Sequence, residues 1–299
     1  MLSSRSRPRR SVLYMPGSNP RALEKGKTLA ADALILDLED AVAPDQKSDA
    51  RARIAEAVNG GGYGMRELLI RVNGLQTEWG HKDIAAAAGT KAHGIVLPKV
   101  ESADAIRMCE QIMTENGADP DMLIWCMIET PRGVLNAERM AAMSNRVAGF
   151  VMGTSDLAKD VHAAHTRDRL PMLYSLGHCL LVARAYDLAI LDGVHLDLSD
   201  DEGFAHSCAQ GRQLGFDGKT LIHPKTIDKA NEVFAPQPDA LDWAKRIIDA
   251  FAEAQARGEG VVLVDGKLVE NLHVEEAKRL VSLADAISEM EKALATENG

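Results

Sequence analysis

The sequence predicts an α/β fold in which eight parallel strands and their helices alternate around a closed barrel, the (β/α)8 or TIM barrel. Eight short apolar runs rich in β-branched residues lie between residues 11 and 222. Helix-length stretches of mixed polarity separate these runs, with Gly or Pro at most of the junctions. An open doubly wound sheet is the alternative, but it usually has fewer strands.

Each strand prediction is an apolar run that is too short for a helix and too continuous for a strand with one exposed face. The predicted strands are Ser11–Met15, Ala33–Leu38, Leu68–Val72, Gly94–Leu97, Leu123–Ile128, Ala148–Met152, Leu188–Leu191 and Thr220–Ile222. The main helices predicted between them are Asp45–Val58, Asp104–Glu115, Ala137–Met143, Leu173–Tyr186 and Asp201–Leu214. We therefore expect a catalytic barrel over residues 1–235.

The chain continues past the last predicted strand for longer than barrel closure requires. Pro238–Gly258 has the pattern of a helix, Val261–Val269 resembles a short hairpin with the turn Asp265-Gly266, and Glu275–Ala293 is amphipathic. We expect residues 236–299 to form a C-terminal extension that acts as a lid or as an arm onto a neighbouring subunit.

Composition narrows the range of partners. The net charge of −10 disfavours nucleic acid and anionic membranes, since both repel a polyanion. No stretch approaches the roughly 20 apolar residues of a membrane span. The four cysteines have no C-x-x-C spacing, which indicates reduced core thiols and a cytoplasmic protein. The basic opening MLSSRSRPRR is expected to be a surface tail outside the fold.

Two acids stand where neighbouring buried strands should end. Glu129 closes one apolar run and Asp156 follows the next. Acids at the carboxyl ends of parallel strands point into the mouth of the sheet. Magnesium usually takes one or two protein carboxylates and completes its shell with water and substrate oxygens, so two acids are enough for a site. The alternative is that each acid only caps the helix that follows it.

Arg71 ends the third apolar run, so its guanidinium needs an anionic partner. Asp37, Glu39 and Asp40 follow the second run and can supply one. Arg71 is then either half of an internal ion pair or a donor fork for a substrate carboxylate or enolate oxygen. Strand alternation indicates that the three acids do not all face the same way, and we expect one or two of them to fix Arg71 and water at the metal.

The turn after the first strand suits a phosphate-bearing ligand. It contains Gly17 and Asn19, and Lys25 and Lys27 follow it. The two lysines also fit a solvated helix face. His223, before Pro224, is either a hydrogen-bonded barrel histidine or a ligand contact.

In their order along the chain, these segments resemble the citrate lyase β-subunit family, which includes malyl-CoA and citramalyl-CoA lyases and is related to the magnesium-dependent HpcH/HpaI aldolases. The resemblance extends from about Arg10 to the carboxyl tail. Its motifs are RSVLYMPGSNPRALEK, ADALILDLEDAVAPDQK, LLIRVNG, VLPKVES, IETPRGV, MGTSDLAKD and GFDGKTLIHPKTID.

The resemblance implies a role for each of these site residues. Glu129 and Asp156 would bind Mg²⁺, and Arg71, beside Asp37, would bind the acyl oxygen and stabilise the enolate. Contacts to CoA would come from Tyr14, Asn19, Lys25, Ser155, Asp156, Ile222 and His223. It also implies homotrimers or hexamers in which the carboxyl-terminal segment covers a neighbour's active site.

The family reaction is reversible Claisen-type cleavage of malyl-CoA, or of a close 3-hydroxyacyl-CoA, to acetyl-CoA or propionyl-CoA and a 2-oxo acid. In the lyases a segment that acts as a lid contains a catalytic Asp. The corresponding position in this chain is Glu270, and Asp265 is the other candidate acid. Glu has one more methylene than Asp, which displaces the carboxyl and disfavours carbon–carbon cleavage. The alternatives are a (3S)-malyl-CoA thioesterase, a citrate lyase β-like subunit that needs a carrier protein, and a CoA-independent pyruvate aldolase.

Overall fold

The computed structural model describes residues 7–297, and it confirms the predicted closed barrel. Eight parallel strands pair in chain order, and β1 closes the barrel against β8. The strands are β1 (Ser11–Pro16), β2 (Ala33–Asp37), β3 (Glu67–Arg71), β4 (Gly94–Leu97), β5 (Leu123–Ile128), β6 (Val147–Met152), β7 (Ala189–Asp192) and β8 (Gly218–Leu221).

Helices connect the strands. They are α1 (Pro20–Gly26), α2 (Lys47–Gly60), α3 (Gly80–Ala88), α4 (Ala103–Glu115), α5 (Pro131–Leu135), α6 (Ala137–Ala141), α7 (Thr154–Asp160), α8 (Leu173–Ala185), α9 (Asp201–Leu214) and α10 (Ile227–Phe234). Short 3-10 turns occupy Pro44–Gln46, Leu170–Met172 and Pro224–Thr226. Most predicted elements agree with these bounds to within a few residues.

The last strand begins two residues before its predicted start. The prediction missed these residues because a lysine is not expected in a buried strand. Lys219 is fully buried in β8, and its Nζ donates to Asp192 Oδ2 over 2.9 Å and to the Gly193 carbonyl over 2.5 Å. Arg169 Nη1 donates to the other oxygen of Asp192 over 2.6 Å. The paired acid makes burial of the ammonium tolerable.

Two separate apolar clusters define the barrel. The larger combines strand and helix residues and lies between the barrel and its helices. The buried members of the smaller cluster come from strands alone, and they include Val12, Ile35, Leu69 and Met127. Side chains alternate along a strand, so positions two residues further face the same side. Those positions hold Tyr14, Asp37, Arg71 and Glu129, which places four polar groups at one end of the barrel interior.

The expectation that the basic opening is a surface tail is wrong for its last two arginines. Arg9 Nε donates to Glu67 over 2.6 Å, and Arg10 Nη2 donates to Asp32 over 2.9 Å, and all four residues are buried. Local composition could not reveal these distant partners. Residues 1–6 of the same prediction lie outside the described residues.

A second compact unit comprises Ala235–Thr296 and, of the described amino-terminal residues, residues 7 and 8. It contains α11 (Pro238–Ala256), an antiparallel hairpin of β9 (Val262–Val264) and β10 (Lys267–Val269), and α12 (Asn271–Glu297). Its own small core includes Ile247, Phe251 and Val274. The helix, hairpin and helix follow the predicted order.

All four cysteines lie among the described residues, and each is a buried free thiol, as the sequence predicts. Between residues 7 and 297, no helix combines the length and the apolar character needed to cross a bilayer.

Candidate active site

Arg71 is the centre of an ion network at the carboxyl ends of β1, β2 and β3. Its Nε and Nη2 donate to the two oxygens of Asp37 over 2.7 and 2.6 Å. Its Nη1 lies 3.0 Å from Glu39 Oε2 and 3.7 Å from Asp40 Oδ2. The guanidinium also lies over the ring of Tyr14, 4.7 Å from the centroid. Burial opposes its charge, but Asp37 outweighs burial and raises the pKa of Arg71 well above its ordinary value.

All three acids therefore reach Arg71, which corrects the expectation based on strand alternation. β2 ends at Asp37, and alternation stops with it. The chain then folds back so that the backbone N–H groups of Glu39 and Ala41 donate to the carboxylate of Asp37. This turn brings Glu39 and Asp40 to the same side as Asp37.

Glu129 directly follows β5 and is buried against both neighbouring strands. Its Oε1 accepts a hydrogen bond of 2.7 Å from the backbone N–H of Lys99, which follows β4. On the other side, a Cβ at Gly153 would lie only 2.3 Å from the Glu129 Cβ, so only glycine fits there. The carboxyl is held in place from two sides.

Burial raises the pKa of Glu129 to about 8, and the negative charges of Glu39 and Asp156 contribute to the rise. The hydrogen bond from Lys99 opposes this shift but does not cancel it. Several carboxylates thus repel one another in a partly dehydrated space. A bound cation would relieve that repulsion.

Neither acid is the hydrogen-bonding cap of the following helix. Thr130 is the cap of α5, and its Oγ1 accepts from the N–H of Gly133 over 3.0 Å. Asp156 lies inside the first turn of α7, whose cap residue is Gly153 and makes no side-chain bond. The Asp156 Oδ1 lies 3.5 Å from the Nζ of the exposed Lys159. The capping alternative therefore does not account for either carboxylate.

The donors at this end of the barrel fit magnesium better than a transition metal. Within residues 7–297, no three His, Cys, Asp or Glu side chains form a ready-made metal cluster. A site made of two carboxylates leaves room for water and substrate oxygens, which is how magnesium is commonly held. Glu39 Oε2 is buried and is ion-paired with Arg71 Nη1 over 3.0 Å, although this contact does not have the geometry of a hydrogen bond.

The residues expected to bind CoA occupy two neighbouring strand ends and one helix. Asn19 caps α1, where its Oδ1 accepts from the N–H groups of Arg21 and Ala22. Lys25 is exposed in the same helix. Ile222 and His223 follow β8, which pairs with β1. His223 Nδ1 accepts from the N–H of Lys225, so the histidine has a local structural role as well as an exposed ring.

Ser155 belongs to α7, next to Asp156, and is half-buried. The two candidate lid acids belong to the second unit. Glu270 lies between β10 and α12, and its N–H donates to His273 Nδ1 over 3.1 Å. Asp265 is at the hairpin turn and pairs with Arg246 over 2.8 Å.

Lys99 is a residue of this site whose role we did not predict from the sequence. Its backbone has a positive φ of 50°, which is uncommon for a residue with a side chain and marks a constrained position. Its Nζ lies 3.4 Å from Glu39 Oε1, and both residues line a cavity of about 330 Å³ that also contacts Lys47 and Trp79. The sequence indication was the motif VLPKVES, in which this lysine is the second residue after the strand end.

The model of the HpcH/HpaI aldolase/citrate lyase family matches residues 10–224. The chain belongs to this family. The match includes every barrel strand and each of the acids around Arg71, so the carboxyl-end geometry described above is that of a family member.

Two relatives of the chain are named for their activity on malyl-CoA. It is 48% identical over 287 residues to the (3S)-malyl-CoA thioesterase of Cereibacter sphaeroides, covering 96% of this chain and 98% of that protein. It is 34% identical over 307 residues to the L-malyl-CoA/beta-methylmalyl-CoA lyase of Cereibacter sphaeroides, covering 95% and 96%.

A solved structure has the same fold over nearly the whole chain. This is CitE from Mycobacterium tuberculosis in complex with magnesium, acetoacetate and coenzyme A. The TM-score is 0.74 at 28% identity, and the match covers 94% of this chain and 99% of that chain.

Proposed function

We propose that this protein is a magnesium-dependent (3S)-malyl-CoA thioesterase that hydrolyses malyl-CoA to malate and CoA. The observation that supports this most is the 48% identity to a protein of that activity, over nearly the full length of both chains. Similarity to the lyase is lower, at 34%. From the sequence we expected carbon–carbon cleavage, with hydrolysis as the alternative, and the higher identity to the thioesterase now favours hydrolysis.

Glu129 and Asp156 would hold the magnesium ion. Support comes from the raised pKa of Glu129, to which neighbouring carboxylates contribute, and from the magnesium in the related CitE complex. When bound, the ion would supply positive charge to the malyl carboxylate and hydroxyl and orient the acyl group.

Arg71 is the proposed donor to the thioester carbonyl oxygen, on which negative charge develops as water attacks. Asp37 orients the guanidinium through two hydrogen bonds, so Asp37 acts in catalysis through Arg71. The attacking water gives its oxygen to the carbonyl carbon, the carbon–sulfur bond breaks, and a proton passes from water to the leaving thiolate. Glu39, which lies 3.0 Å from Arg71 Nη1, is the proposed acceptor of a hydrogen bond from that water.

Tyr14, Asn19, Lys25, Ser155, Ile222 and His223 are the proposed contacts for CoA, as the family resemblance implies. Exposed residues that follow the adjacent strands β1 and β8 suit a long ligand that enters from the barrel mouth. The proposal includes assembly into trimers or hexamers, in which Glu270 of one subunit serves the site of another.

Product analysis tests the proposal. Purified protein, Mg²⁺ and malyl-CoA should release free thiol and malate in equal amounts, and EDTA should abolish both. Glyoxylate should be absent from the mixture. Glyoxylate and acetyl-CoA formed in place of free thiol would overturn the hydrolase proposal in favour of the lyase.

Carbon–carbon cleavage is the second candidate, because the rigidly held Arg71 would equally stabilise the enolate oxygen formed in that reaction. Turnover of free malyl-CoA by the isolated chain would also exclude the requirement for a carrier-protein complex. A CoA-independent aldolase would instead act on free pyruvate and aldehyde.

A further inference from the structure

Lys99 is built into the carboxylate cluster through both its backbone and its side chain. Its N–H donates to the proposed metal ligand Glu129, while its Nζ lies 3.4 Å from Glu39 Oε1. The charges of Asp40 and Asp156 also act on its ammonium. The left-handed backbone at this position allows both contacts at once.

The neighbouring cation, Arg71, is held rigidly by two acids. Two of its nitrogens bind Asp37, and the third lies 3.0 Å from Glu39. Its side chain is buried in this arrangement. The Lys99 side chain is 38% exposed and has four rotatable bonds, so its ammonium is able to move where the guanidinium is not.

We propose that Lys99 is a counter-cation of the carboxylate cluster. Its positive charge balances the acids before the divalent ion binds, and it thereby raises the Kd for that ion. The inference rests on the proposed magnesium site. Like charges a few ångströms apart repel strongly in a partly dehydrated space. A magnesium ion at Glu129 and Asp156 therefore has to bind against the field of the ammonium.

The test measures Mg²⁺ binding by calorimetry without any substrate. The parent protein and every variant are measured in the same buffer at the same pH and ionic strength, so that differences in Kd report the substituted side chain. Lys99→Met removes the ammonium and should lower the Kd for Mg²⁺ by about tenfold. Lys99→Arg keeps the charge and should leave the Kd within about twofold of the parent value.

Lys99→Gly separates charge from backbone geometry. It keeps the N–H that binds Glu129 and accepts the positive φ without strain, but it has no ammonium. It should bind Mg²⁺ as tightly as Lys99→Met and melt at a higher temperature than the parent protein. A Gly variant with the parent's Kd would overturn the proposal.

Lys91→Met is the matched control, since this exposed lysine precedes the amino end of the same strand, β4. Its Kd should equal that of the parent. If Lys99→Met binds Mg²⁺ no more tightly than this control, the counter-cation role is wrong while the proposed function stands. If the parent protein itself binds no Mg²⁺, the magnesium site and the inference are both wrong.

Discussion

Arg71 and Asp37 are register partners at the carboxyl ends of β3 and β2, and two parallel hydrogen bonds of 2.7 and 2.6 Å join them. This bidentate contact fixes the plane of the guanidinium. It also leaves the Nη1 edge, beside Glu39, turned toward the remaining acids. A cation fixed in this way stabilises developing negative charge without reorganising during the reaction.

Arg71→Lys should therefore lower kcat/KM for malyl-CoA by about 100-fold or more, because an ammonium cannot bind Asp37 with two parallel bonds and still face the substrate. Steady-state kinetics with thiol detection measures the loss. Arg184→Lys is the control: this arginine binds both oxygens of Asp217, which precedes β8 at the amino ends of the strands, and its variant should keep near-parent kinetics. Equal losses in both variants would argue against a special role for Arg71.

Removing either metal acid should abolish Mg²⁺ binding. Glu129→Gln and Asp156→Asn each delete one negative ligand, so we expect no calorimetric Mg²⁺ binding and activity reduced by about 100-fold or more. Circular dichroism should show an unchanged fold, since repulsion among the acids is relieved. Asp160→Asn, on the same helix as Asp156 and next to the same Lys159, should bind Mg²⁺ normally. Parent-like activity in the Glu129 variant would contradict the assignment.

Glu270→Ala tests the proposed lid acid. If its carboxyl transfers a proton, kcat should fall by about 100-fold or more while KM for malyl-CoA changes little. Glu275→Ala, an exposed acid in the helix that follows Glu270, is the control and should leave kcat unchanged. If Asp265→Ala loses activity and Glu270→Ala does not, the hairpin turn supplies the acid instead.

The buried Asp192 should make stability depend on pH. Burial opposes its ionised form, but Lys219 and Arg169 outweigh burial and lower the pKa of its carboxyl. A depressed folded-state pKa contributes stability above the unfolded value of about 4, and that contribution is lost as the pH falls through the lower folded value. Asp192→Asn should cost about 3–5 kcal/mol at pH 7, because it leaves the fully buried Lys219 without its anionic partner.

Denaturant unfolding at pH 7 and pH 3 measures this cost, and the difference between parent and variant should be smaller at pH 3. Asp104→Asn removes an exposed partner of Arg107 and should cost less than about 1 kcal/mol. A comparably small loss for Asp192→Asn would show that the buried network is not important for stability.

Much of the barrel follows from hydrophobic pattern alone. The runs Leu123–Ile128 and Gly94–Leu97 match strands residue for residue, because a strand buried on both faces must be continuously apolar. The same logic locates Glu129 and Asp156, since a charged residue that ends such a run lies at the barrel mouth. Family membership also follows from the sequence, because the order of its strand-end motifs is specific.

Other features depend on residues that are far apart in the chain. Lys219 is excluded from a predicted strand by its charge, and only Asp192, in another strand, explains its burial. Arg9 resembles part of a basic tail until Glu67 is placed beside it. The hydrophobic pattern shows which residues avoid water. It contains no information about which distant charge compensates a buried charged residue.

The sequence by itself determined the closed barrel, the acids at its mouth and the family. Only the tertiary structure decided that Asp37, Glu39 and Asp40 all turn toward Arg71, and that Lys99 lies among the carboxylates with a left-handed backbone. The physical reason is that alternation along a strand ends where the strand ends. Beyond that point, hydrogen bonds and charges between neighbouring loops decide where each side chain points.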